Sequence, residues 1–102
     1  MLTFHVQNQA HESLWEFPDD AQNSFLNLCR RLAARAGSVV DPVDPYADTM
    51  FNFKQLDRLL IELDGADEGG EMSVEESLIA AQVKAAAQYA RQISGYLFIQ
   101  GD

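Results

Sequence analysis

The two ends of this 102-residue chain read as β-strands, while most of the sequence between them has helical spacing. Leu2-Thr3-Phe4-His5-Val6 alternates apolar and polar residues, the period of a half-buried strand. Tyr96-Leu97-Phe98-Ile99 has the same strand character at the other end. Strands so far apart in sequence find their partners in each other, so one small sheet built from both ends is expected, with helices packed on one face. Leu14-Trp15-Glu16-Phe17, after the polar Gln7-Asn8-Gln9 turn, adds a second strand that Pro18 ends.

Three helices are predicted between the strands. The first follows Asp19 or Asp20 as cap, with Ala21, Phe25, Leu28, Leu32 and Ala36 on one face, Arg30, Arg31 and Arg35 in its final turns, and Gly37 as its stop. The second begins near Thr49 or Asn52, buries Phe53, Leu56, Leu60 and Leu63, and ends at Asp64-Gly65. Residues 64–72 then read as a flexible acidic, glycine-rich loop. Ser73 and Glu76 match a capping box for the third helix, which carries Ile79, Val83, Ala86, Ala90 and Ile93 and closes at Gly95. The order is β-β-α-α-α-β, an α+β fold in a single domain spanning residues 1–102. Alanines 80, 81 and 85–87 would let another helix approach the third one closely.

The net charge of −9 is concentrated in one stretch. Residues 37–83 hold 11 acids against Lys54 and Arg58, which equals the charge of the whole chain. A field of that sign repels phosphate, so nucleic acid is not an expected partner, and it speeds encounter with a basic protein. No apolar run is long enough to span a membrane, and the first residues lack the pattern of a signal peptide, so a cytoplasmic protein is expected.

Catalytic and metal motifs are weak. Cys29, the single cysteine, reads as a small core hydrophobe rather than a nucleophile. Asp64, Glu68, Gly69 and Glu75 fall at calcium-loop spacing, but Ala66 stands where a ligand is required. His5 and His11 read as surface residues, and no Ser-His-Asp set or phosphate-binding loop occurs. A non-enzyme without cofactor or metal is expected.

The most specific stretch is Asp44-Pro45-Tyr46-Ala47-Asp48-Thr49-Met50-Phe51-Asn52, an aromatic ring between acids beside a helix start. With the ending Tyr96-Leu97-Phe98-Ile99-Gln100-Gly101-Asp102, it resembles a group of small bacterial proteins of uncharacterised activity that share a D-P-Y-x-D-T-x-F-N pattern. In size, acidity and lack of a catalytic set the chain is also similar to the immunity proteins of bacterial toxin systems. That likeness implies an antitoxin that binds a cognate basic toxin domain. From the placement of the acids and the aromatic ring in the sequence, Asp44, Asp48, Asp64, Asp67, Glu68 and Glu71 are expected to steer the encounter and Tyr46 to anchor it. The competing expectation is a homodimeric accessory or regulatory domain, joined through the alanine-rich helix or through Trp15 and Phe17 on an edge strand.

Overall fold

A computed structural model describes residues 1–34 and 37–101. The elements are β1 (Thr3–Gln7), β2 (Ser13–Pro18), α1 (Ser24–Leu32), β3 (Thr49–Phe51), α2 (Phe53–Glu68), α3 (Val74–Gln92) and β4 (Tyr96–Gln100). The sheet is antiparallel throughout, in the order β2-β1-β4-β3. The two strands from opposite ends of the chain are thus its central pair, running from Thr3↔Gln100 to Gln7↔Tyr96.

Alternation divides the faces of this sheet. Phe4 lies opposite both Phe17 and Ile99, and Phe51 lies opposite Leu97, so these residues share the buried face. Phe4 stacks on Phe17 with ring centroids 5.0 Å apart and meets Phe25 of α1 edge-on at 5.2 Å. Burying each such ring stabilises the fold by about 2–3 kcal/mol. The helices cover this face. In α3, Ala80, Val83, Ala86, Ala87 and Ala90 are fully buried, and their small side chains let it lie close over β1 and β4. Alongside it, α2 contributes Leu56, Leu59, Leu63 and Ala66. Gly95 makes the step from α3 into β4 possible, because a Cβ there would collide with the backbone of Gln7.

Four local expectations are corrected. First, α1 begins at Ser24, not at Ala21, which is exposed. The chain turns at residues 19–23 first, with Asn23 in the left-handed region (φ 55°). Asp19 still serves the helix start, but from a distance: its buried carboxylate accepts N–H bonds from Phe25 (3.1 Å) and Leu26 (3.2 Å). Arg35 and Ala36, assigned to the end of that helix, lie outside the described residues, as does Asp102.

Second, Thr49–Phe51 is a strand, and α2 starts only after Asn52. Asn52 and Gln55 form a capping box there, which leaves Phe53 47% exposed instead of in the core. Third, α2 runs through Gly65 to Glu68. Fourth, the stretch read as a flexible acidic loop is therefore mostly helix, and the turn into α3 is confined to residues 69–73. The Ser73–Glu76 capping box of α3 forms as expected.

Candidate functional site

The segment before β3 is held by its own side chains. Asp44 and Ala47 form a backbone bridge, with Pro45 and Tyr46 at the corner between them. Asp44 Oδ1 accepts the Tyr46 N–H at 2.7 Å, a local turn that this residue type favours. Asp48 Oδ1 accepts the Gly101 N–H at 3.0 Å, and the Thr49 hydroxyl donates to the Pro42 carbonyl at 3.1 Å. A Cβ on Gly101 would stand 2.5 Å from the Ala47 carbonyl oxygen, so only glycine allows this closeness. Tyr46, 82% exposed, is thereby displayed at the tip of a fixed turn.

The other expected steering residues sit on different elements. Asp64 and Asp67 are on α2, and Lys84 of α3 reaches both, at 3.2 and 3.7 Å. Asp67 also accepts the Ser77 hydroxyl at 3.1 Å. The last turn of α2 has no basic residue of its own, and Lys84 offsets the like signs of its acids and the negative helix end. Glu68 is exposed on that turn, and Glu71 gives its backbone carbonyl to Arg31 at 2.9 Å. The seven residues thus form two groups: Asp44, Tyr46 and Asp48 on the turn before β3, and Asp64, Asp67, Glu68 and Glu71 around the α2–α3 junction. Part of the acidity of residues 37–83 is compensated from outside that stretch, by Arg31 on Glu76, Lys84 on Asp64 and Asp67, and Arg91 on Asp57.

His5 and His11 occupy the sheet face that the helices leave open. His11 stacks on Tyr96 (4.7 Å), and His5 lies against Phe98 (5.6 Å). His5 Nδ1 is 3.4 Å from Ser13 Oγ and 3.3 Å from Glu16 Oε2, while Nε2 is 3.0 Å from Gln100 Oε1. Hydroxyl and carboxylate crowd the same ring nitrogen, whereas a proton relay needs one on each side. Cys29 is buried in the core, and desolvation raises its thiol pKa, with Asp19 and Glu62 adding to the rise. Among the described residues no group of three or more His, Cys, Asp or Glu could hold a metal ion, and no helix is long and apolar enough to cross a membrane.

One feature is beyond the reach of sequence spacing. A groove of about 490 Å³ opens between β2 and α3, lined by Phe17, Pro18, Asp20, Glu75, Leu78, Ile79 and Gln82, with Asp19 at its base. Leu78 is 67% exposed, and its place off the Ile79–Val83 stripe is the only trace of the groove in the sequence. The two acids at the 19–20 turn differ. Burial raises the Asp19 pKa despite three N–H bonds, whereas hydrogen bonds from the Ser24 hydroxyl and N–H hold Asp20 below the usual carboxylate range. No protein-family model, curated protein or solved structure matches the chain.

Proposed function

We propose that this chain is an immunity protein, an antitoxin that binds a cognate basic toxin domain in the cytoplasm and blocks it. The observation that carries this reading is Tyr46: a large aromatic ring left in water between two carboxylates, on a turn clamped at Asp44 and Asp48. Exposing such a ring on a fixed backbone gives the isolated chain little, but it lowers the ordering cost of association. Asp44 and Asp48 beside it, and Glu68 at the α2–α3 junction, supply the field that draws in a basic surface, while the charge of Glu71 is offset by nearby Arg31. Asp64 and Asp67 contribute less to that field than their count suggests, because Lys84 already faces them.

For the homodimer reading, Ala80, Ala86 and Ala87 of α3 are buried within the chain, while Ala81 and Ala85 remain exposed to a second copy.

The test is capture from the native host by the tagged chain, compared with a Tyr46→Ala, Asp44→Asn, Asp48→Asn variant. The expected catch is a basic protein that arrests growth when expressed alone and is silenced by the wild-type chain. Tyr46→Ala should weaken that complex by about 2 kcal/mol, roughly thirtyfold. Recovery of no such protein, or equal recovery by both baits, would overturn the proposal.

A further inference from the structure

We propose that the free edge of β2, with the groove it forms against α3, docks an extended segment of a partner protein in which apolar side chains alternate with lysine or arginine. The site lies apart from the Tyr46 turn and stands or falls separately from it.

Three observations converge on this occupant. β2 is the edge of the sheet, so one row of its backbone N–H and C=O groups faces no other strand among the described residues. A register shift near Leu14 and Pro18 at the other end bound the regular stretch, leaving Trp15-Glu16-Phe17 available for pairing. Three residues suffice in this sheet, since β3 joins β4 over the same length. Next, the buried side of that stretch continues outward: Trp15 is 37% exposed beside Phe17 (ring centroids 5.1 Å), and Leu78 and Ile79 of α3 form the opposite wall. An added strand would place every second side chain over this apolar floor, and those side chains must be apolar.

Charge decides the rest. Side chains of the added strand on the other face would stand beside Glu16, and the groove is rimmed by Asp20 and Glu75 with no lysine or arginine in its lining. Glu75 forms no ion pair with the described residues. The outward side chains that fit beside Glu16 are therefore cationic, and on the groove side Asp20 and Glu75 disfavour acidic ones. A second copy of this chain does not fit, because joining two β2 edges brings two sets of Glu16, Asp20 and Glu75 together.

The single tryptophan, Trp15, lies on the strand and reports on the site. The probes are three blocked hexapeptides, alternating valine with lysine, valine with glutamate, and glycine with lysine. The valine–lysine peptide is expected to shift Trp15 emission to shorter wavelength and to saturate, and the other two to leave it in place. Leu78→Gln, an exposed change that circular dichroism will show to be folded, should weaken the titration roughly tenfold. Tyr46→Ala should not alter it. Equal titration by the glycine–lysine peptide, or indifference to Leu78→Gln, would overturn the proposal. So would self-association in sedimentation that Leu78→Gln abolishes, since a second copy would then be the occupant.

Discussion

Arg31 of α1 grips Glu76 of α3 in a fork, Nη1 to Oε2 and Nη2 to Oε1, both at 2.6 Å. The same carboxylate accepts the Ser73 N–H that starts α3, and the same guanidinium holds the Glu71 carbonyl. One pair therefore joins α1, the α2–α3 turn and the first turn of α3. Glu76 is buried while Arg31 keeps half its side chain in water, which lowers the desolvation cost of the pair.

Glu76→Gln should destabilise the chain by about 1–2 kcal/mol, since it removes the charge but keeps a hydrogen-bonding side chain. The pH dependence has a definite sign. The Arg31 hydrogen bond, foremost among several causes, lowers the Glu76 pKa below its ordinary 4.5. Its stabilisation is complete above that value and is lost as pH falls through the lower folded one. Asp19 acts oppositely: its pKa is raised by burial from 3.8, so stability falls as pH rises between those two values. Urea melts between about pH 3 and 7 should show an acid limb that Glu76→Gln flattens. An unchanged limb would refute the assignment to this pair.

Gly65→Ala should raise stability by about 0.5–1 kcal/mol. Gly65 lies inside α2, and an added Cβ meets nothing within 4 Å. The sequence pattern alone predicts the reverse, because a terminating glycine tolerates no such change. Thermal melts of the two chains decide between them.

The Cys29 thiol should resist alkylation in the folded protein and react only at the rate of global opening. It is buried, and burial raises its pKa so that almost no thiolate is present near neutral pH. Fast labelling by a thiol reagent in native buffer would contradict this placement.

Gly101→Ala should separate display from stability. The new methyl group would press on the Ala47 backbone, so the turn must shift. Because this contact lies outside the main core, the expected loss is about 1 kcal/mol, alongside roughly tenfold weaker capture of the proposed partner. Calorimetry and titration on the same preparation test both. A melting temperature that collapses would instead place the turn within the cooperative core.

Much of the architecture could be read from residue order. The alternation of Leu2, Phe4 and Val6 identified β1, and the Ser73–Glu76 box marked the start of α3. β3 was hidden because three residues carry no period and the Asn52 cap follows at once. Gly65 was misleading as a stop signal. Its cost in a helix, about 1 kcal/mol, is outweighed by the burial of Ala66 and by the Lys84 contacts on both sides. Of the proposed binding residues, the Tyr46 turn was legible from Pro45 and its flanking acids. The groove was not, since Phe17 and Leu78 lie 61 positions apart and only the packing of α3 against the sheet brings them together.

The pairing of β1 with β4 also sets the order of assembly. His5 and Gln100, bonded diagonally across those strands, are 95 residues apart in the chain. During synthesis β1 and β2 can close as a hairpin early, yet one flank of β1 stays open until β4 has emerged. Closing so long a loop is entropically slow, and until then the edge of β1 is exposed to other chains. A nascent chain halted before residue 96 lacks a central strand of its own sheet, so its helices have only part of their floor to pack on.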